Sequence, residues 1–248
     1  MTTSTLLTGL VAITLASVHL GAGQVRAFRG IPRNYWLSIA GGASVAYVFV
    51  HVLPELKGGT ILESVPLLAG FFERHVFLVA LGGFALFYGL ERLAEESGYE
   101  NRSTDPEKTT QPGTTMSVFW IHVGAFTTYN ALIGYLLVHR EQPGIISLML
   151  YATAMALHFI VNDYGFRDHH RDTYDRVGRW VLAAAVVVGW GIGIATHVDE
   201  AVVNTLFAFL AGGVILNVIK EELPEERRSR FWAFALGAGG YSAILLWI

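Results

Sequence analysis

The chain has 248 residues, no cysteine and a formal net charge of −3; 53% of its residues are hydrophobic and 15% are charged. Ordinary soluble domains carry roughly a quarter charged residues, so this balance, with a mean hydropathy of +0.46, excludes that class. Without cysteine there are no disulfides and no thiolate metal sites, and no nucleophile motif, phosphate loop or nucleic-acid-binding basic patch points to an enzyme or to a nucleic-acid partner.

A helix needs about 20 apolar residues to cross a bilayer core. Blocks approaching that length lie at 5–23, 35–56, 76–91, 117–138, 144–164, 180–196, 201–220 and 231–248. They predict an all-α, polytopic membrane protein of eight spans, folded as a single membrane domain over 1–248. Met1 to Thr8 holds no charged side chain, so the first block reads as a retained span and not as a cleaved signal.

The second span closes on HVLPEL, His51 to Leu56. His51 and Glu55 stand at i and i+4, a spacing that can grip a metal or form an interfacial ion pair. After the third span, Glu95 to Thr115 is polar and apolar-poor and reads as a mobile cytoplasmic linker.

The fourth span carries His122, Thr127, Thr128, Tyr129 and Asn130, and the fifth carries His158, Asn162 and Asp163. His158 and Asn162 are one turn apart and share a face. The two spans are antiparallel across a short loop, so their polar faces are expected to meet near mid-membrane. Polar groups there are costly unless they are paired or face a wet cavity, which makes them functional candidates. Imidazole, amide and carboxylate together suit a divalent metal such as zinc. The same residue types also serve as interhelical hydrogen-bond glue. Just beyond, His169 and His170 lie in the run Asp168 to Asp172, a place to catch departing metal.

The seventh span ends on EELPEE at 221–226. Aligned without gaps, Gly42 meets Gly212 and the Leu-Pro-Glu triplets of the second and seventh spans coincide. Helices five spans apart cross the bilayer in opposite senses, so the match predicts an inverted repeat, a common plan for transporters. Charge orients the chain. Arg26, Arg29, Arg33, Arg92, Arg102, Lys108, Arg167, Arg171, Arg176, Arg179, Lys220, Arg227, Arg228 and Arg230 fall in or beside the odd-numbered loops, leaving Lys57, Arg74 and Arg140, of 17 in all, on the other side. By the positive-inside rule the odd loops are cytoplasmic and both termini are external.

These features resemble the ZIP (Zrt/Irt-like) metal transporters over most of the chain. HVLPEL resembles the end of that family's second helix, ALGGFALFYGLERL at 80–93 its third and AGGVILNVIKEELPEE its seventh. The resemblance implies a 3+2+3 arrangement whose first and last three helices are inverted repeats, metal as cargo, and a site on the fourth and fifth helices. The family's fourth-helix motif, His-Asn-x-Pro-Glu/Asp-Gly, meets Tyr129-Asn130-Ala131-Leu132-Ile133-Gly134 here. Its fifth-helix motif, His-Glu-x-Pro-His-Glu, meets His158-Phe159-Ile160-Val161-Asn162-Asp163. Several ligands are therefore replaced, and the usual binuclear centre cannot be assembled from these positions.

The expectation is a plasma (inner) membrane transporter of divalent metal, zinc first, with Asn130, His158, Asn162 and Asp163 as ligands and His51, Glu55, His169 and His170 as secondary candidates. The bilayer and the metal ion are its expected partners, and a homodimer is left open. Metal needs neutral imidazole, so affinity is expected to fall below a pH of ~6.5. Two alternatives stand beside this reading: a non-transporting membrane protein on the same plan, and a haem redox protein using His19, His51, His122 or His158 as axial ligands.

Overall fold

The computed structural model describes residues 3–21, 33–54, 76–104, 116–140, 144–196, 199–222 and 230–247. Among them every regular element is helical: α1 (Thr3–Gly21), α2 (Arg33–Tyr47), α3 (Val76–Thr104), α4 (Met116–Leu136), α5 (Ile145–Thr173), α6 (Arg179–Ala195), α7 (Glu200–Glu222) and α8 (Phe231–Trp247). A π-helical turn, Val48–Val52, extends α2, and a second, Tyr174–Gly178, joins α5 to α6. The stretches 35–52, 145–167, 174–195 and 202–219 are long and apolar enough to cross a membrane, and α1, α3 and α8 contain shorter apolar stretches. Large side chains such as Leu10, Ile13, Leu81, Trp232, Leu236 and Leu246 lie more than half exposed. An apolar exterior of this kind is what lipid covers.

Two expectations change in detail. Helix α3 continues to Thr104, ten residues into the segment read as a linker. Residues 105–115 lie outside the described residues, as does Glu55. His169 and His170 fall within α5 and not in a loop, but their side chains, like that of His122, are also outside the described set.

Lipid tails are as apolar as leucine, so helices in a membrane associate by close packing and polar contacts, not by hydrophobic exclusion. The bundle uses one close crossing three times. In α2 against α8, a Cβ on Gly42 would strike the Phe234 carbonyl and the Ala238 nitrogen, and one on Gly237 would strike the Ile39 carbonyl. In α7 against α3, Gly212 faces the Ala80 carbonyl and the Phe84 nitrogen, while Gly83 faces the Phe209 carbonyl. In α4 against α6, Gly134 faces the Val186 carbonyl and the Trp190 nitrogen, while Gly189 faces the Ala131 carbonyl. The register is the same each time: one glycine sits over residue n of its partner, and the partner's glycine at n+3 sits three residues before the first.

Tyrosine hydroxyls tie these pairs together. Tyr129 donates to the Leu210 carbonyl of α7, Tyr151 to the Ile133 carbonyl of α4, and Tyr241 to the Leu150 carbonyl of α5. Trp190 of α6 donates to Thr8 of α1. These contacts fix directions. Tyr129 meets His158 and Phe126 meets Phe166, so α4 and α5 are antiparallel. The α4–α6 crossing is parallel, so the chain reverses between α5 and α6. Around that reversal, Phe166 stacks on Tyr174 at 5.6 Å and Arg167 pairs with Asp175 at 2.9 Å.

The crossing yields a paired test on one helix. Gly189→Ala drives a methyl into the α4 backbone, whereas a Cβ at Gly191 has nothing within 4 Å. Gly189→Ala is expected to destabilise the protein by about 1–3 kcal/mol, and Gly191→Ala to leave it unchanged or to stabilise it by up to about 1 kcal/mol. Thermal unfolding in detergent micelles measures both. Equal melting temperatures for the two variants would remove the close crossing as a source of stability.

Candidate functional site

Ten polar side chains are buried among the described residues: Thr8, His19, Ser38, Ser44, Asn130, His158, Asn162, Asp163, Asn204 and Asn217. Burial without a partner costs such groups on the order of 1–3 kcal/mol each, so their hydrogen bonds mark out the site. Asn130 and the trio His158, Asn162 and Asp163 lie on the facing helices α4 and α5. His19 enters from the last turn of α1.

His19 is the hub. Its Nδ1 lies 2.8 Å from Asp163 Oδ1, with both side chains at 0% exposure. Its Nε2 lies 2.9 Å from Asn130 Nδ2. The same Asn130 nitrogen donates to the Leu182 carbonyl of α6 at 3.4 Å. A carbonyl only accepts, so the amide turns its NH2 edge toward both neighbours. His19 Nε2 is therefore an acceptor, Nδ1 carries the proton, and Nδ1–H is donated to the carboxylate. Tyr174, at the reversal after α5, also donates its hydroxyl to Asp163 Oδ1. The carboxylate thus receives two donors on one oxygen, which offsets the cost of burying it.

The other half of the cluster is open. No described residue hydrogen-bonds Asp163 Oδ2, Asn130 Oδ1, Asn162 Nδ2 or either ring nitrogen of His158. His158 is fully buried, its ring centroid 5.6 Å from that of Tyr129 and 6.2 Å from that of Phe159. Phe159 also holds His19, at 4.2 Å. Each of the four expected ligands, Asn130, His158, Asn162 and Asp163, therefore carries a buried polar atom with no described partner, yet only Asn130 and Asp163 are linked, and that link runs through α1. The linked part lies beside the last turn of α1 and the first turn of α6.

His51 stands apart in the π-helical turn of α2, half-buried, its ring 5.1 Å from that of Tyr47. Among the described residues no three His, Asp or Glu side chains converge as a metal-holding group. Sequence reasoning placed His19 only among haem candidates. Both of its ring nitrogens are engaged in the cluster. A lone imidazole in the otherwise uncharged run TSTLLTGLVAITLASVHLG was the signal. Tyr174 was not singled out, nor were Asn204 and Asn217 of α7. Both are buried, and among the described residues Asn204 has no hydrogen-bond partner on either amide atom.

No protein-family model and no curated protein matches the sequence.

Because Tyr174 donates to a buried carboxylate, Tyr174→Phe is expected to cost about 1.5–3 kcal/mol, the range for a hydrogen bond to a charged group. In an Asp163→Asn background the same change should cost less. A double-mutant cycle on chemical unfolding in micelles reads the difference. A coupling of zero would mean that the hydroxyl does not support the carboxylate.

Proposed function

We propose that the chain is a ZIP-like transporter of divalent metal cations, zinc foremost, in the plasma (inner) membrane. The single observation carrying this is the buried cluster. Asn130, His158, Asn162 and Asp163 each present an unpartnered polar atom within an apolar helical bundle. Buried ionisable groups in membrane proteins are retained where cargo or protons pass, and imidazole with amide and carboxylate oxygen favours a borderline-soft dication over magnesium or calcium.

The glycine crossings support the 3+2+3 plan. A two-fold operation that exchanges α2 with α7 and α8 with α3 carries Gly42 and Ile39 onto Gly212 and Phe209, and Gly237 onto Gly83. Gly42 and Gly212 are the residues that the aligned LPE endings pair. Transporters built this way work by alternating access around a site at the repeat interface. No nucleotide-binding motif is present in the sequence, so the gradient of the cargo or of a co-transported ion supplies the energy.

One observation favours a second reading. The single carboxylate of the cluster is already engaged on one oxygen by His19 and Tyr174. A dication in low dielectric needs more compensation than one such group supplies, which suits a non-transporting protein on the same scaffold. Zinc uptake into proteoliposomes separates the two. The transporter reading expects ATP-independent uptake that His158→Ala and Asp163→Asn each reduce at least tenfold. Zinc bound without uptake above empty liposomes would select the scaffold, and uptake dependent on ATP hydrolysed by this chain would refute the mechanism.

Orientation has its own test. With both termini external, alkaline phosphatase fused after Ile248 is expected to be active and green fluorescent protein dark when exported unfolded. The converse pattern would overturn both the topology and the family resemblance.

A further inference from the structure

We propose that His19 is a direct ligand of the cargo cation, supplied by α1, and that Asp163 acts on the cation through His19 and not by coordinating it. This rests on the divalent-cation reading above and assigns the ligands within it.

The first argument is the state of the ring. Asn130 presents its NH2 edge to the Leu182 carbonyl and to His19 Nε2 together. His19 is thereby a neutral imidazole with its proton on Nδ1, held 2.8 Å from Asp163 Oδ1. Metal-bound histidines use this arrangement: one nitrogen donates to a carboxylate, which fixes the tautomer and raises the basicity of the other. The Tyr174 hydroxyl holds the same carboxylate oxygen from behind. His19 Nε2 is therefore an oriented, buried lone pair before any cation arrives.

The second argument is what faces that lone pair. Its present partner, Asn130, leaves its own Oδ1 buried and unpartnered. A half-turn of the amide about its terminal bond exchanges nitrogen for oxygen. It gives up the hydrogen bond to His19 and the longer one, 3.4 Å, to Leu182. Two lone pairs, His19 Nε2 and Asn130 Oδ1, then converge where one hydrogen bond ran.

The third is His158. Its ring is fully buried, neither nitrogen has a described partner, and the ring of its neighbour Phe159 also lies 4.2 Å from that of His19. Helices α1, α4 and α5 thus offer two imidazoles and an amide oxygen, with one carboxylate behind the first imidazole. Nitrogen donors in that proportion suit zinc or cobalt(II) and are poor for magnesium and calcium, which take oxygen ligands.

X-ray absorption on the zinc-loaded full-length protein in detergent counts imidazole ligands and tests this directly. The expected count is two for the wild type, one for His158→Ala and one for His19→Ala. Asp163→Asn should keep two while binding zinc about 10–100-fold more weakly, the usual cost of losing an outer carboxylate. His19→Ala strands a buried carboxylate and can fail to fold, so His19→Ala with Asp163→Asn is the second variant, and His158→Ala leaves the pair untouched. Zinc-bound His158→Ala with no imidazole, His19→Ala with two, or Asp163→Asn losing an oxygen ligand would each overturn the assignment while leaving the cation reading standing. A wild-type protein that binds no zinc would sink that reading itself.

Discussion

Close approach of backbones is the constraint on which the rest of this bundle depends. In a solvent that does not drive apolar surfaces together, helices hold where their main chains touch along a length, and a Cβ at the crossing point keeps them apart. Gly42 with Gly237, Gly212 with Gly83, and Gly134 with Gly189 remove that obstacle in three parallel pairs. The tyrosine hydroxyls then use the second lone pair of helix carbonyls to join one pair to the next. Helix α5 carries few glycine contacts of its own, but Tyr151, the Ala154 carbonyl that receives the Ser44 hydroxyl, and the Leu150 carbonyl tie it to α4, α2 and α8. That leaves its polar face, His158, Asn162 and Asp163, buried within the bundle.

Enclosure explains why the polar cluster is organised around one acid. Each further carboxylate would need its own donors, and the described residues around Asp163 supply two, His19 and Tyr174, both to the same oxygen. The result is a chain of three groups with a direction: acid, then imidazole, then amide, running from α5 through α1 to α4. Removing any one partner strands the others in a medium without water, so the cluster behaves as a unit, and single substitutions within it are not additive.

Much of the helical framework was legible in the sequence, because length and apolarity alone delimit a span. The block at 201–220 became Glu200–Glu222, and the block at 180–196 became Arg179–Ala195. Pairing was not legible. Gly134 reads as a remnant of a metal motif, yet its neighbours are the α6 backbone at Val186 and Trp190, and nothing local in the sequence names partners so distant along the chain. The candidate residues on α4 and α5 were visible as polar breaks in apolar runs. His19 was equally visible but lay on a helix with no motif to recommend it, and its importance comes from a contact across 144 positions. Burial, not residue type, separates it from His51, which stands half-buried in the turn that ends α2.

That turn has a geometric meaning. A π-helical turn holds one residue more than the α-helical ladder needs, so the helix beyond it is rotated by about 100° relative to an uninterrupted α2. Upstream, Gly42 and Ser44 are packed against α8 and α5; within the turn, His51 leans on Tyr47. Residues on either side of the turn therefore face directions that a continuous α-helix of the same sequence would not give them.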